Sequence, residues 1–426
     1  MNTCMNTSVE ILAREGKAAA AYMATSSETQ KNTALQALIQ NIKSHRDAIM
    51  KANQQDINLA KAANIHASLL ERLSLENRLE GIIHDIEQVI RLPDPIGTSY
   101  DVQTLPNGLV LSKCRVPLGV LGVIYESRPN VTIDISALTI KSANVALLRG
   151  GSETLHTNQA LIEVIQQSLK DAGLPATAIQ LLSGRDRTQV SELLQLDKYI
   201  DVIIPRGGAA LQQFCRKHST IPVITGGAGV CHLFVDETAD FEGSLRVIFN
   251  AKTQRPGVCN AVDTILVHAA IAKAFIPRLQ QALQEALSEK RVQFCLDHKA
   301  WACVGALDCC RLAKAEDWDT EWLSLVLNVK VVENIEEATA HIKTHASGHS
   351  DGILTENPCN AAQFIREVDS AAVYVNASTR FTDGGQFGLG GEAAISTQKL
   401  HARGPMGLQE LTSYKWIIRG NYQIRT

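Results

Sequence analysis

The fold is decided by the stretch Val120-Leu121-Gly122-Val123-Ile124-Tyr125, a short apolar run of the kind that forms a buried parallel strand. A helix-like segment at 133–144 follows it, and the next apolar run is Val145–Leu148. Further strands are predicted at 178–182 and 200–204, and further helices at 157–171 and 187–195. Strands that alternate with helices in this way predict a doubly wound parallel sheet, and therefore an α/β protein.

A second alternating block begins near residue 232 and predicts a second parallel sheet. Its expected strands lie at 232–235, 262–268, 329–333, 352–355 and 371–375, and its expected helices at 241–250, 270–288, 335–345 and 358–367. Residues 377–410 are rich in Gly, Ser and Thr, so we expect a long functional loop there.

The segments at the two ends of the sequence complete the division into domains. Residues 8–92 show apolar residues at helical spacing, and strand-like composition follows at Leu109–Val116 and near the end at Tyr414–Ile418. We expect a cofactor-binding domain at 1–235 and a catalytic domain at 236–377. The remaining segment, 378–426, is expected to return to the first domain and to end in a terminal strand.

The composition excludes several classes of function. The chain has 426 residues, 45% of them hydrophobic, and a formal net charge of −3, so it lacks the basic field that nucleic acid or an anionic membrane requires. No apolar run approaches the roughly 20 residues of a membrane-spanning helix, and the first residues lack the pattern of a signal peptide. Ten cysteines without a CxxC pair indicate reduced thiols. We expect a cytoplasmic protein.

The most informative decapeptide is Ala251-Lys252-Thr253-Gln254-Arg255-Pro256-Gly257-Val258-Cys259-Asn260. It joins a predicted helix to a predicted strand, and its Pro and Gly favour a tight turn. A free thiol has a pKa of about 8.5, and nearby cations such as Lys252 and Arg255 would increase the thiolate fraction. Cys259 is therefore a candidate nucleophile. The alternative is a buried, inert cysteine, as expected for most of the others.

Two glycine turns follow apolar strands and precede helices. They are Arg149-Gly150-Gly151-Ser152 and Pro205-Arg206-Gly207-Gly208. Backbone N–H groups at a helix N-terminus favour phosphate, and each arginine adds a bidentate donor. The pair predicts a phosphorylated ligand at the ends of parallel strands, although either turn alone is an ordinary loop feature.

Polar side chains at two other strand ends are further candidates. Arg128 and Asn130 follow Tyr125; Arg128 could hold a phosphate or carboxylate, and Asn130 could donate to an oxyanion or cap the next helix. Asn376–Gly385 has the composition of a substrate loop or of a polar surface loop. His341, His345 and His349 are spaced by four, but we expect solvated or capping histidines and no metal.

Together these motifs resemble the gamma-glutamyl phosphate reductases, also called glutamate-5-semialdehyde dehydrogenases, of the aldehyde dehydrogenase superfamily. The resemblance covers nearly the whole chain. It is carried by Val116–Val120, Tyr125–Thr132, Leu148–Glu153, Ile204–Gly208, Asn250–Asn260, His349–Asp351, Val368–Gly385 and Ser396–Gly407.

The resemblance implies a fold with two doubly wound parallel-sheet domains and a small oligomerisation flap, built from strands near 105–116 and the terminal strand. It implies NADPH-dependent reduction of L-glutamyl 5-phosphate to L-glutamate 5-semialdehyde, the second step of proline biosynthesis from glutamate, by a homo-oligomer. The upstream glutamate kinase is a candidate partner.

The resemblance also assigns roles to residues. Cys259 matches the nucleophile, Asn130 lies near the oxyanion asparagine, and Glu321 resembles the glutamate that holds the nicotinamide ribose. The two glycine turns match cofactor-binding turns, and Arg149 could meet the 2′-phosphate of NADP. The expected substrate contacts, chosen by chemistry, are Arg128, Arg255, Ser378, Thr379 and Arg380.

One departure from the wider superfamily bears on the chemistry. Hydrolytic aldehyde dehydrogenases carry a glutamate base before a Leu-Gly-Gly turn, and the matching position here is Ile224. Without that base, attack of water on a thioester should be slow, which suits reduction of an acyl phosphate. Two other classes remain open: a cysteine acyltransferase or hydrolase with a histidine base, and a metal-binding or structural protein based on the histidines.

Overall fold

The computed structural model describes residues 8–65, 70, 72–126, 128–182, 188–226, 228–285 and 291–425. The chain divides into two compact units. Unit 1 contains Met1–Thr225, Phe387–Ile395 and Pro405–Thr426, and unit 2 contains Gly226–Gln386 and Ser396–Gly404. The predicted ends of two helices, at 187 and at 286–288, lie outside the described residues.

Unit 1 begins with helices whose apolar residues recur at helical spacing, as predicted. Ser27 starts the second of them with a capping box, because its hydroxyl accepts from the Gln30 N–H while Gln30 accepts from the Ser27 N–H. The α-helices of unit 1 are Val9–Met23, Glu28–Ser44, Arg46–Ala62, Leu79–Arg91, Asn130–Lys141, Leu155–Asp171, Thr188–Leu193 and Ala209–His218, with 3₁₀ turns at Ser152–Thr154 and Ala176–Ala178.

The central sheet of unit 1 has four parallel strands in the order β5-β4-β3-β6. These strands are β3 (Val120–Tyr125), β4 (Val145–Arg149), β5 (Ile179–Leu181) and β6 (Val202–Arg206). All residues of β3 are buried, as its unbroken apolar composition predicted.

Two boundaries in this sheet differ from the prediction. Strand β6 continues through Pro205 and Arg206, which pair with Ile124 and Tyr125, so the turn begins only at Gly207. The helix after β3 begins at Asn130 instead of at 133, with Pro129 before it. Proline is favourable there because its fixed φ suits the start of a helix.

A separate antiparallel sheet in unit 1 has three strands in the order β1-β2-β16. They are β1 (Ser99–Thr104), β2 (Val110–Pro117) and β16 (Thr412–Arg419). The strand pair was predicted near 105–116, but its first strand ends at Thr104, so the predicted start was wrong. The sequence of β1, SYDVQT, has only two apolar residues, Tyr100 and Val102, and five of its six residues are exposed, so this short alternation was not recognised as a strand.

Unit 2 contains a seven-stranded parallel sheet in the order β10-β9-β11-β8-β7-β12-β13. The strands are β7 (Cys231–Val235), β8 (Val262–His268), β9 (Gln293–Leu296), β10 (Cys310–Leu312), β11 (Val326–Val332), β12 (Ser350–Leu354) and β13 (Ala372–Val375). Strands β9 and β10 were not predicted; β10 is an edge strand whose residues are mostly exposed. Two short strands, β14 (Ile395–Ser396) and β15 (Gly404–Pro405), lie in the C-terminal part of the chain.

Helices in unit 2 alternate with these strands, as expected for parallel connections. The α-helices are Phe241–Thr253, Ala269–Glu285, His298–Val304, Ile335–His345 and Pro358–Glu367, with 3₁₀ turns at Ala315–Asp319 and Thr379–Phe381. The first three helices pack on the sheet around Val267, Phe275, Leu279 and Val329, and the last two helices pack around Phe234, Leu266 and Ile353; all of these residues are fully buried.

The boundary between the units lies at Thr225/Gly226, whereas the sequence suggested a division after 235. The reason is strand β7, which pairs with β8 and β12 and therefore belongs to the seven-stranded sheet. In the described part of the chain, no helix is long and apolar enough to cross a membrane.

Candidate active site

Cys259 lies in unit 2, in the turn that connects the helix Phe241–Thr253 to β8. Asp240 starts that helix by accepting a hydrogen bond from the Gly243 N–H. The helix ends at Thr253, and a turn around Pro256–Asn260 leads to Val262. The thiol is partly accessible, as a nucleophile must be.

The backbone around Cys259 is held by a close approach of Gly229. A Cβ placed on Gly229 would lie 1.7 Å from the Cys259 carbonyl oxygen, so only glycine fits there. The Gly229 N–H donates to Glu321 Oε1 at 2.9 Å. The Cys231 Sγ donates to the Cys259 carbonyl oxygen at 3.2 Å. Unit 2 therefore brings Glu321, a predicted site residue, to the strand that faces the nucleophile turn.

Lys252 does not supply the free positive charge that the sequence suggested. Its side chain is fully buried, and Nζ donates to the Val262 carbonyl at 2.9 Å and to Asp263 Oδ1 at 3.0 Å. Burial raises the pKa of Asp263 to about 6, and burial lowers the pKa of Lys252. Lys252 is thus the buried partner of Asp263 and links the end of the helix Phe241–Thr253 to the start of β8.

The predicted substrate loop meets the nucleophile turn through Asn260, a residue that sequence analysis did not single out. Asn260 Nδ2 donates to the Thr382 carbonyl at 2.9 Å, and the Thr379 hydroxyl donates to the Asn260 carbonyl at 2.7 Å. Arg380 Nη1 donates to Asn260 Oδ1, and Arg380 Nε donates to Gln254 Oε1 at 3.1 Å. The loop 378–382 is therefore fastened beside Cys259.

The five expected substrate residues have different environments. Arg255 is exposed and Arg380 is partly buried, both in unit 2. Ser378 and Thr379 are buried; Ser378 Oγ caps the short 3₁₀ turn by accepting from the Arg380 N–H. Arg128 is exposed in unit 1. Ser378 and Thr379 thus have internal structural partners, and the substrate role of all five stays a prediction.

Several of the other thiols have environments that favour the protonated form. Burial raises the pKa of Cys215 and of Cys295 to about 11 each. Burial, followed by the charge of Asp351, raises the pKa of Cys231 well above its ordinary value. All nine cysteines in the described residues are free thiols. Cys215, Cys231 and Cys295 therefore remain protonated at neutral pH, as expected of buried cysteines.

The first glycine turn, in unit 1, rests on a buried chain of polar side chains. The Tyr125 hydroxyl bonds to Thr132 Oγ1 at 2.8 Å, Thr132 Oγ1 donates to Asn158 Oδ1 at 2.9 Å, and Asn158 Nδ2 donates to Thr154 Oγ1 at 2.9 Å. A Cβ on Gly150 would lie 2.2 Å from Asn158 Nδ2, so this glycine is required by close packing.

The remaining residues of this turn have local partners. Arg149 Nη1 donates to the Gly150 carbonyl at 2.9 Å, and Thr154 Oγ1 donates to the Gly151 carbonyl at 3.0 Å. Ser152 is exposed, begins the 3₁₀ turn and donates to Glu153 Oε1 at 3.1 Å.

Two amides at the start of the helix after this turn are occupied by a carboxylate. The buried carboxylate of Asp56 accepts from the Thr157 N–H at 2.8 Å, from the Thr157 hydroxyl at 2.6 Å and from the His156 N–H at 3.3 Å. It also bonds to His156 Nδ1 at 2.7 Å. A carboxylate from the helix Arg46–Ala62 thus occupies the amides of His156 and Thr157, and the cofactor role of the turn Arg149–Ser152 stays a prediction.

The second glycine turn also receives a carboxylate. Glu126 Oε2 accepts from the Gly208 N–H at 3.2 Å, and a Cβ on Gly207 would lie 2.6 Å from the Glu126 carboxyl carbon. No atom lies within 4 Å of a Cβ placed on Gly208, so the backbone there faces open space. Arg206 Nη2 lies 3.9 Å from Glu392 Oε1. The contact of Glu126 with this turn was not predicted, because an anion-binding site is expected to contain cations and not a carboxylate.

Asn130 is the first residue of its helix and does not cap it, so the capping alternative is wrong. Its Nδ2 donates to Asp134 Oδ2 at 2.9 Å, one turn further along the helix. Burial raises the pKa of Asp134 to about 7. The hydrogen bond from Asn130 and the charge of Arg206 lower this pKa, whereas the charges of Asp85 and Glu392 raise it. The amide of Asn130 therefore has a fixed orientation.

The three histidines are not the solvated group that the sequence predicted. The helix ends at His345, as expected from Gly348, but His341 and His349 are buried. Burial lowers the pKa of His341 to about 2 and that of His349 to about 4, so both are neutral at physiological pH. Each contacts a different partner: Lys330 Nζ for His341, Asp319 Oδ1 for His345 and Ser350 Oγ for His349.

Comparison with known proteins defines the class to which these features belong. The model of the aldehyde dehydrogenase family matches residues 1–293, and the chain belongs to that family. Within it, the chain belongs with the gamma-glutamyl phosphate reductases. The enzyme of that name from Psychromonas ingrahamii is 53% identical over 98% of this chain and 99% of its own length.

Two further relatives support the same placement. A gamma-glutamyl phosphate reductase from Cronobacter sakazakii is 52% identical over 98% of this chain and 100% of its own. The crystal structure of gamma-glutamyl phosphate reductase from Thermotoga maritima has a TM-score of 0.94 and 43% identity, covering 99% of this chain and 100% of that one. The predicted family and fold class are therefore confirmed.

Proposed function

We propose that the protein reduces L-glutamyl 5-phosphate to L-glutamate 5-semialdehyde with release of phosphate, in the second step of proline biosynthesis. The observation that carries the proposal is the Cys259 turn, in a chain that aligns over 98% of its length with relatives named for this substrate. In this turn a partly accessible thiol stands on a backbone held by Gly229 and Asn260. That arrangement suits covalent catalysis.

The proposed reaction begins at the sulfur of Cys259. The thiolate attacks the acyl carbon, a C–S bond forms, the bond from that carbon to the phosphate oxygen breaks, and phosphate leaves. A nicotinamide cofactor, when bound, supplies the hydride that brings the thioester to the aldehyde level. Collapse of the resulting thiohemiacetal releases the semialdehyde and returns the thiol. Asn130 is proposed as an oxyanion donor, and Arg128, Arg255, Ser378, Thr379 and Arg380 as substrate contacts.

A nicotinamide cofactor follows from the family, and we propose NADPH as the preferred form. Residues Arg149–Ser152 and Pro205–Gly208 are proposed to hold it, with Glu321 at the nicotinamide ribose. The open space beside Gly208 supports close approach of a ligand to the backbone, and Arg206 adds a cation at the same strand end. Glu126 and Asp56 oppose a phosphate group at these turns, so the cations must outweigh them.

The position of Ile224 supports reduction over hydrolysis. Ile224 is buried, and its N–H donates to the Ile203 carbonyl at 2.9 Å, so this position offers no general base. A thioester on Cys259 is then not lost rapidly to water.

The decisive experiment replaces Cys259 by Ala and measures nicotinamide absorbance with glutamyl phosphate, using NADPH and NADH in turn. We expect turnover to fall at least 1,000-fold, because the nucleophile is gone, while NADPH still binds. Cys303→Ala is the matched control, because Cys303 is also a partly accessible thiol of unit 2 and should be dispensable.

The same assay separates the rival classes. Retained activity in Cys259→Ala would refute the proposed mechanism. Release of phosphate without oxidation of NADPH by the unmodified protein would instead indicate a cysteine hydrolase. A higher rate with NADH than with NADPH would refute the proposed cofactor preference.

Three further assignments belong to this proposal. We propose a cytoplasmic location, because the substrate is an intermediate of amino-acid biosynthesis. We propose that the three-stranded sheet β1-β2-β16 is an oligomerisation flap, since Tyr414, Trp416 and Ile418 of β16 remain exposed in the single chain. The upstream glutamate kinase is a proposed partner, because acyl phosphates are reactive in water.

A further inference from the structure

We infer that the guanidinium of Arg380 stabilises the thiolate of Cys259 before any substrate binds, and that Asn260 is the residue that positions it. This inference rests on the proposed function, in which Cys259 is the nucleophile. It gives Arg380 a role in activating the enzyme's own thiol, which is separate from the role of a substrate contact.

The first argument concerns the cations that the nucleophile decapeptide itself contains. Lys252 is fully buried and bonds to Asp263 Oδ1 at 3.0 Å, so its charge is balanced within the core. Arg255 is exposed, and water screens the charge of an exposed side chain strongly. Neither cation is well placed to stabilise the thiolate.

Arg380 has the environment that the other two cations lack. Its side chain is partly buried, and its guanidinium is fixed by bonds from Nε to Gln254 Oε1 at 3.1 Å and from Nη1 to Asn260 Oδ1. Gln254 and Asn260 both belong to the nucleophile decapeptide, so the guanidinium is tied to the segment that carries Cys259. Neither partner carries a charge, so these bonds leave the positive charge of Arg380 uncompensated by them.

The electrostatic coupling between the two residues agrees with this geometry. Burial, followed by the charge of Arg255, lowers the pKa of Arg380, whereas the negative charges of Asp383 and of the Cys259 thiolate act in the opposite direction. A cation that is favoured by the thiolate must favour the thiolate equally, because the interaction is mutual.

Asn260 determines the direction of the guanidinium. Its Nδ2 donates to the Thr382 carbonyl at 2.9 Å, which leaves Oδ1 to accept from Arg380. The Thr379 hydroxyl donates to the Asn260 carbonyl at 2.7 Å, and the Asn260 side chain is buried. The loop 378–382 therefore holds Asn260 from both its side chain and its backbone, and Asn260 holds Arg380.

The test measures the pH dependence of alkylation of Cys259 by iodoacetamide, without substrate or cofactor and with the modified peptide quantified by mass spectrometry. Only the thiolate reacts, so the profile reports the pKa of the thiol. In Arg380→Gln we expect that pKa to rise by about one unit, which lowers the alkylation rate at neutral pH about tenfold.

Three variants complete the experiment. Arg380→Lys keeps the charge and should retain most of the reactivity, which also covers the case in which Arg380→Gln fails to fold. Arg246→Gln is the matched control and should change the rate less than twofold, because Arg246 is an exposed cation of the helix Phe241–Thr253 with no proposed role at the site. Asn260→Ala keeps Arg380 but loses its positioning bond, so the pKa of the thiol should rise by a smaller amount.

The results distinguish this inference from the function on which it rests. An unchanged alkylation profile in Arg380→Gln, together with lost reductase activity, would overturn the inference and leave Arg380 as a substrate contact. An equal loss of thiol reactivity in Arg246→Gln would also overturn it. Absence of NADPH-dependent reduction by the unmodified protein would instead refute the proposed function.

Discussion

The nucleophile turn of unit 2 and the second glycine turn of unit 1 are built in opposite ways. At Cys259 the backbone is enclosed, since Gly229 leaves no room for a single added carbon and Asn260 is buried. At Gly208 the backbone faces open space, and its N–H is held by the exposed carboxylate of Glu126. The Cys259 turn therefore has its final geometry without a ligand, whereas the contact of Glu126 with the Gly208 N–H is one that a ligand can replace.

This difference fits the two tasks that the turns are proposed to perform. A nucleophile must be held within a fraction of an ångström of its reactive position, so dense packing around Cys259 contributes to catalysis. A cofactor must enter and leave in every turnover, so an exposed side chain that exchanges with it costs little. Three experiments test whether the contrast holds.

The largest effect should come from Gly229→Ala, with Gly208→Ala as its counterpart. The added methyl group at Gly229 would stand 1.7 Å from the Cys259 carbonyl oxygen, so the turn must move. We expect reductase activity to fall at least 100-fold, since a displacement of about 1 Å is enough to cause such a loss. Gly208→Ala meets no protein atom within 4 Å, so the fold should be kept; its methyl group enters the space proposed for the cofactor, so we expect a higher Kd for NADPH and an unchanged rate of Cys259 alkylation. A loss of Cys259 alkylation in Gly208→Ala as large as that in Gly229→Ala would remove the contrast between the turns.

A smaller effect should come from Glu126→Gln, which keeps the size of the side chain and removes its charge. The carboxylate accepts from the Gly208 N–H and would repel a phosphate group of the cofactor. We expect the Kd for NADPH, measured by fluorescence titration, to fall about threefold, the scale of one exposed charge at a helix N-terminus. Glu192→Gln, an exposed acid elsewhere in unit 1, should leave the Kd unchanged. Weaker binding in Glu126→Gln would show that Glu126 assists the cofactor.

The smallest effect should come from Asp134→Asn and should depend on pH. Burial raises the pKa of Asp134 to about 7, so the folded protein binds this proton more tightly than the unfolded chain does. Folding stability therefore decreases as pH rises from about 4 to about 7, and the penalty remains above pH 7. Asparagine cannot ionise, so the variant escapes that penalty.

The prediction for Asp134→Asn is a gain in Tm over the unmodified protein that is larger at pH 8 than at pH 4. Part of the Asp134 side chain is accessible and screened by water, so we expect the difference to be roughly 2 °C. Asp47→Asn, at an exposed position of a helix in unit 1, is the control and should show no such trend. A gain that is independent of pH would contradict the assignment.

Strands were predicted correctly where local pattern and tertiary environment agree. Val120–Tyr125 and Val262–His268 were predicted as strands with the bounds that the structure has, because continuous apolar runs are buried wherever they pack. Strand β1, which is almost entirely exposed, and the short strands β9 and β10 were missed. Such strands depend on pairing with a neighbour, and the partner is distant in sequence.

The candidate site divides in the same way. Cys259 could be selected from ten cysteines because its turn has a distinctive local composition of Pro, Gly and cations. The partner of Lys252 could not be identified from the sequence, because Asp263 becomes its counter-ion only when the helix and the strand pack together. Glu126 and Asp56 were missed as occupants of helix N-termini because each reaches its helix from 82 to 101 residues away in the sequence.

By itself, the sequence determined the α/β class from its apolar periodicity and the family from its resemblance over nearly the whole chain, and it singled out Cys259 as the candidate nucleophile from a contiguous motif. Only the tertiary structure decided which charges act at each turn. It paired Lys252 with Asp263, placed Glu126 on Gly208 and fastened Arg380 to Asn260. The physical reason is that electrostatic effects depend on distance and burial in space, and neither is encoded in the order of neighbouring residues.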